Sequence, residues 1–211
     1  MLAPRKKLWS TPPTVLDTVS RWIELSHGDV VADIGCGDGR VIQHLASFWT
    51  RQQHPDRQDK EVYANSRLSS VSFIGIDINP DRIQEAKAAI DKAKASGQIH
   101  AELSISFYCE NALEATHLFQ YATIFFLYLI PRGLKIFKPF LYQVIQQRQK
   151  ERTEDDKLRV ITYMSPLPDE PYIKRQLCQV DHQPGASWPV YLYHLGAPSP
   201  SYSIEESQND V

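Results

Sequence analysis

Residues 30–40 read VVADIGCGDGR, and this stretch decides the fold. Its apolar start has the length of a buried strand, with Asp33 close to its end. Gly35, Gly37 and Gly39 then alternate, and Val41, Ile42 and Leu45 follow with helical spacing. Glycines at a strand-to-helix turn allow positive φ and close backbone approach that a Cβ obstructs. The helix that follows aims unpaired N–H groups at whatever lies over the turn. The pattern is G-x-G-x-G, which is not the G-x-G-x-x-G dinucleotide fingerprint, so no NAD site is read from it. A tight turn without a ligand is the competing reading. A second strand, FIGIDIN at 73–79, weakens that reading because it too ends in an acid, Asp77.

Working outward, 211 residues and 24.2 kDa suit one domain with a sizeable core. Hydrophobic residues at 42% and charged ones at 23% describe an ordinary globular chain. A formal charge of -2 supplies no global field to attract nucleic acid, which leaves only a local patch for that purpose. Cys36, Cys109 and Cys178 are odd in number and widely spaced, which predicts neither a disulfide framework nor a metal site. No metal is expected. The most apolar run, 124–130, is strand-sized, so no membrane span is expected. The basic start MLAPRKKLW lacks the apolar region of a secretory signal. The cytoplasm is the default location, with mitochondria left open.

Residues 1–13 read as an irregular arm in which Trp9 and Thr11 are candidates for the rim of a substrate entrance. A first helix is expected from a Thr14 cap to about His27. Strand one and helix A (to about Trp49) follow, and then a polar surface insertion at 50–69. Strand two covers 71–78, and Asn79 and Pro80 have the chemistry to start helix B, which runs to about Ala95. Strand three covers 105–108, a short helix 113–119, and 122–129 reads as a continuous apolar strand of a central parallel position. A long helix lies within 134–150, with Pro139 at its start or at a kink. The charged tract 146–159 reads as an exposed helix end and loop. Strand five covers 158–164, and two last strands, 173–180 and 188–195, leave little room for a helix between them. The fold class is therefore α/β: a Rossmann-like three-layer sandwich whose mostly parallel seven-stranded sheet is closed by an antiparallel C-terminal hairpin. The domain spans 14–195, and the tail 196–211 is expected to be disordered.

In such a sheet the ligand crevice lies beyond the C-terminal strand ends, beside the switch point. That rule gathers Asp33, Gly35, Cys36, Gly37, Asp38, Asp77, Ile78, Asn111, Ala112 and the segment 128–131. Asp77 is placed to accept hydrogen bonds from two ribose hydroxyls, or else it caps the turn before Asn79. Ile78 can cover an adenine face. Asn111 and Ala112 can meet the adenine edge, or Asn111 is a helix cap. Asp33 orients the glycine turn or meets a cationic part of the ligand; Asp38 does either or caps helix A. With no G-x-x-x-x-G-K-[ST] cradle, a nucleoside with a cationic substituent fits better than a nucleoside triphosphate.

VADIGCGDGR followed by GIDINPDRIQEAK resembles the first two motifs of the class I, seven-stranded S-adenosylmethionine-dependent methyltransferases. That resemblance implies S-adenosyl-L-methionine as cofactor, with its methionine moiety at Asp33, Gly35 and Gly37, its ribose at Asp77 and its adenine at Asn111. A narrower resemblance covers most of 12–195 through DIGCGDGR, FYCENALE, TIFFLYLIP and RVITYMSPLP. It is to the small protein-lysine methyltransferases related to the mitochondrial enzyme that modifies an ATP synthase subunit and to an archaeal relative. It implies a protein substrate whose lysine amine attacks the methyl group in line. Tyr128, Leu129 and Pro131 then line the mouth, with Tyr128 and Pro131 as the candidate catalytic positions; Tyr128 is alternatively a buried structural residue. The rival readings are a nucleic-acid or small-molecule methyltransferase on the same fold, and a non-catalytic binding protein of that fold. Residues 128–131 lack the acidic or asparagine residue followed by Pro-Pro-aromatic that many base methyltransferases carry.

Overall fold

The computed structural model describes residues 10–53, 71–151, 157–180 and 185–196. Trp9 with most of the expected arm, the body of the expected insertion and the expected tail after Gly196 lie outside these residues.

Seven strands form one sheet: β1 (Val30–Ile34), β2 (Ser72–Asp77), β3 (Ser104–Cys109), β4 (Ile124–Leu127), β5 (Leu158–Tyr163), β6 (Lys174–Gln179) and β7 (Ser187–Leu195). Their order is β3-β2-β1-β4-β5-β7-β6. The first five pair in parallel, and β7 runs antiparallel to both β5 and β6. Hence β6 points the same way as β1 to β5, and β7 alone is reversed. The order changes direction between β1 and β4, and this is the switch point beside which a crevice opens.

Alternation along each strand divides the core in two. On one face Val31, Phe73, Ile124, Phe126 and Ile161 pack beneath α1 (Pro13–Trp22), α2 (Arg40–Gln53) and α3 (Pro80–Ala95). On the other, Ala32, Ile34, Phe125, Leu127 and Val160 meet Leu134, Phe137 and Leu141 of α4 (Pro131–Glu151). The four residues of β4 are each at most 1% exposed, as a central strand covered on both faces requires. Phe119 meets Phe125 edge to face at 5.8 Å between ring centres. The three-layer sandwich expected from the sequence is the one observed.

Several boundaries differ from expectation, each for a local reason. Pro12, not Thr14, occupies the cap position of α1, and the Thr14 hydroxyl donates to the Gln179 carbonyl at 2.8 Å. The helix stops at Trp22 rather than near His27, because Glu24 takes a positive φ of 38°. Helix α2 continues through Gln53, so residues 50–53 belong to it and not to the insertion; Thr50 donates back to the Ala46 carbonyl at 2.9 Å. Helix α4 begins at Pro131, where a missing N–H costs nothing, and runs on through Pro139. The expected helix at 113–119 is a 3-10 turn at Thr116–Leu118. In the charged tract expected to be exposed, Arg148 is buried and donates to the Ala122 carbonyl at 3.3 Å.

The lower edge of the sheet is held by a buried acid. Asp29 accepts from the Thr123 hydroxyl at 2.7 Å, from the Ser26 amide at 2.8 Å and from the Arg159 guanidinium. Those contacts tie together the starts of β1, β4 and β5.

Close packing at the upper half leaves no room for a side chain at position 75. A Cβ on Gly75 would fall 2.5 Å from Phe107 and 2.9 Å from Ile42. Gly75→Ala should therefore destabilise the fold by roughly 1–3 kcal/mol through overpacking. Urea unfolding measures this, and an unchanged midpoint would show that β2 and β3 are not packed as described.

Candidate active site

The ends of four parallel strands, β1 to β4, deliver the site. The amides of Gly35 and Cys36 donate to the Ile76 carbonyl at 2.8 and 3.0 Å, which locks the end of β1 to the end of β2. Gly35 and Gly37 have φ of 77° and 55°, values that favour glycine over any residue with a Cβ. A Cβ on Gly37 would also sit 2.9 Å from the Arg82 guanidinium. The turn is then pinned from the side by Asp77, whose two carboxylate oxygens accept from the Gly37 amide and the Asn79 amide, each at 2.9 Å. Asn79 in turn caps α3 by accepting from Asp81 and Arg82.

Asp33 lies beneath this turn. It is 2% exposed, and its Oδ2 has no hydrogen-bond partner among the described residues. Burial first, and then the charges of Asp77 and Asp38, push its pKa up to about 8. Beside it is a small space of about 30 Å³ bordered by Thr11, Gly37, Arg82, Phe126 and Tyr128. That is room for about one water-sized group. A buried, unpartnered carboxylate oxygen facing such a space suits a cationic donor.

The other expected residues fall around this centre with uneven freedom. Cys36 is buried, and burial with the nearby Asp33 and Asp77 charges drives its thiol strongly upward, away from nucleophilic use. Partial burial opposes ionisation of Asp38, but the hydrogen bonds and charge of Arg40 prevail and hold its pKa below the ordinary value. The Arg40 Nε reaches both Asp38 oxygens, at 2.9 and 3.1 Å, so this carboxylate is already engaged. Ile78 is 67% exposed just past Asp77, an open apolar surface at the crevice. The end of β3 pairs with Asp77, which brings Asn111 and Ala112 to the same edge. There Asn111 accepts from the Leu113 amide at 3.2 Å and donates to Glu114 at 2.8 Å, so its side chain organises its own turn.

At the end of β4, Tyr128 is half-buried and its hydroxyl donates to the Met164 sulfur at 2.9 Å. Its ring packs against Tyr163 at 4.7 Å between centres, and burial raises its pKa. Leu129 lies over Gly35, since a Cβ there would be 3.8 Å from its methyl. Pro131 is exposed at the start of α4, and Thr11 is buried. Sequence reasoning missed Arg82, Phe126 and Ser10, which also border the space beside Asp33. Arg82 had a legible signal, because a residue in the first turn after Asn79-Pro80 leans back toward the strand end.

No protein-family model matches the chain. It is 30% identical over 88 residues to a protein-lysine N-methyltransferase of Saccharolobus islandicus, a match spanning 42% of this chain and 43% of that relative. The RNA methyltransferase of Salinibacter ruber, solved with S-adenosyl-L-homocysteine, superposes with a TM-score of 0.60 at 21% identity, over 90% of this chain and 96% of that one. A Streptococcus pneumoniae protein assigned as a tRNA (m1A22) methyltransferase superposes with a TM-score of 0.52 at 13% identity, over 91% and 74%. The fold is that of the class I, seven-stranded S-adenosylmethionine-dependent methyltransferases.

Asp33 also makes stability depend on pH. The folded protein keeps the proton on Asp33 up to about pH 8, whereas the unfolded chain releases it near 3.8. Stability should therefore fall as pH rises between these values, by at most about 1.4 kcal/mol per pH unit while the group titrates. Asp33→Asn should remove this dependence and be the more stable protein above pH 8. Urea unfolding across that range measures both effects, and parallel profiles for the two proteins would contradict the assignment.

Proposed function

We propose that this chain is an S-adenosylmethionine-dependent methyltransferase acting on an amine, with a protein lysine side chain as the acceptor. The observation that carries the cofactor is the buried Asp33 Oδ2, unpartnered beside the glycine turn on a class I methyltransferase fold. The residues present fit the group. Asp33 faces a positive charge, Gly35 and Gly37 leave backbone open to close approach, and Ile78 offers an apolar surface. Each Asp77 oxygen accepts one amide and retains a lone pair for a hydroxyl. When bound, S-adenosylmethionine supplies an electrophilic methyl group on a sulfonium.

The chain's own part is alignment and exclusion of water. Asp77 fixes the turn and offers the ribose acceptors, and Asp33 balances positive charge from below. Leu129, Ile130 and Pro131 form an apolar lip, of which Ile130 is 59% exposed. Such a lip disfavours an ammonium relative to a neutral amine and so assists loss of the lysine proton. Tyr128 keeps its proton, which is hydrogen-bonded to the Met164 sulfur, and acts as a wall rather than a base.

The lysine acceptor draws support from the partial match to the archaeal protein-lysine methyltransferase. RNA is the second reading, favoured by the near full-length likeness to the Salinibacter ruber enzyme. Labelled methyl transfer from S-adenosylmethionine into cell extract separates the two. Label removed by protease and resistant to nuclease is the expected result; nuclease-sensitive label would move the acceptor to RNA.

Calorimetry tests the cofactor reading. Asp77→Ala should weaken S-adenosyl-L-homocysteine binding about 10- to 100-fold, the loss of charge-assisted hydrogen bonds. At pH 7 the binding of S-adenosylmethionine should expel the Asp33 proton, which is seen as a binding heat that varies with the ionisation enthalpy of the buffer. Asp33→Asn should abolish that variation. No binding of either molecule to the folded protein would end the methyltransferase reading.

A further inference from the structure

A larger cleft, of about 570 Å³, opens at the opposite edge of the sheet from the candidate active site. It lies at the starts of β1, β4, β5 and β6 and at the end of the reversed β7. The five residues of β1 alone separate the two edges by roughly 16 Å. We propose that this cleft is a second binding site, one that takes the phosphate of a nucleotide, whether free or within a single strand.

The charges decide the sign. Among the described residues, Lys157, Arg159 and Lys174 border the cleft with His27 and His194, against Glu24 and Asp29 as the acids in its wall. Asp29 is spent: its carboxylate is buried and saturated by Thr123, Ser26 and Arg159. Arg159 is equally committed, since it also donates to the Ile23 and Glu24 carbonyls. Lys157 and Lys174 remain, both exposed, and neither is in an ion pair among the described residues. Among the described residues, two exposed ammonium groups therefore border the cleft with one exposed carboxylate, Glu24, and the surplus is positive.

His194 lies in the same cleft wall. It sits opposite Arg159 in the β5–β7 ladder. Burial, then Arg159, Lys157 and Lys174, hold its pKa below the ordinary value. Lys157, Arg159 of β5 and Lys174 of β6 thus share the cleft wall with this imidazole. One side of the cleft is apolar: Trp22 is partly buried against the core, and Ile173 is 51% exposed at the start of β6. An apolar wall beside two ammonium groups matches a base and its phosphate more closely than it matches inorganic phosphate alone. None of these residues belongs to the crevice at Asp33, so the inference stands whether or not the chain transfers methyl groups.

NMR of the histidine ring of the full-length protein tests it, with uridine monophosphate, oligouridylate and inorganic phosphate as probes. A uridine base is used so that adenosine binding at the other edge cannot interfere. An anion seated between Lys157 and Lys174 stabilises imidazolium, so the His194 titration should move upward when a nucleotide is added. The Lys157→Gln, Lys174→Gln double variant, exposed at both positions, should bind at least 10-fold more weakly while its unfolding midpoint stays unchanged. A response to the monophosphate identifies a free nucleotide as sufficient; a response to oligouridylate alone identifies a strand. A response to inorganic phosphate equal to that of the nucleotides would overturn the nucleotide assignment. A His194 titration unmoved by every probe, or equal affinity in the double variant, would overturn the site itself.

Discussion

Three carboxylates share the top of this sheet, and the structure is arranged around keeping them compatible. Asp33 is buried without a partner for one oxygen, a situation that costs about 1–3 kcal/mol when nothing answers it. Asp77 and Asp38 stand close enough to add their fields to its burial. The chain resolves the conflict by spending the other two. Asp77 is occupied with backbone amides of the glycine turn and of the α3 cap, and Asp38 with Arg40. What remains is one buried acid with an oxygen unpartnered among the described residues, which is the least settled group at this end of the sheet.

The same constraint explains why the glycines must stand where they do. Gly35 and Gly37 let the backbone turn sharply, and their amides meet acceptors delivered by β2: the Ile76 carbonyl and the Asp77 carboxylate. The turn is thus a property of two strands at once. A side chain at position 37 would meet Arg82, so the cradle also depends on the first turn of α3.

Much of this was legible in the sequence, and the limits of that legibility are physical. β1, β2, α3 and the unbroken apolar β4 could be read because burial imposes period and composition on them. Asn79 and Pro80 named the start of α3 because capping demands particular side chains. Asp33 and Asp77 were legible as acids at strand ends; their different states were not, since these depend on neighbours supplied by other segments. The occupied side chains of Asn111 and Asp38 were hidden for the same reason, as their partners Glu114 and Arg40 carry no special pattern. Helix ends at Trp22 and Gln53 escaped because the deciding factors were a strained Glu24 and a buried Thr50. Arg148 and Arg159 escaped because charge in a tract predicts exposure, whereas each of these cations has a partner deep in the structure.

The reversed strand connects to the crevice by a route that sequence spacing conceals. Met164, the residue directly after β5, has a φ of 69°, and its amide donates to the Pro189 carbonyl of β7 at 2.8 Å. That unusual backbone places the thioether where Tyr128 donates to it. Tyr128 is the first residue past β4, and the lip of the crevice follows directly from it. The exit of the central strand is thereby fixed by an antiparallel pair whose second member lies some sixty residues further along the chain, by count of the sequence. Closing the sheet with β7 therefore does more than cover β5. It holds the residue that sets one wall of the crevice, so packing at the C-terminal hairpin and shape at the mouth are parts of one mechanical unit.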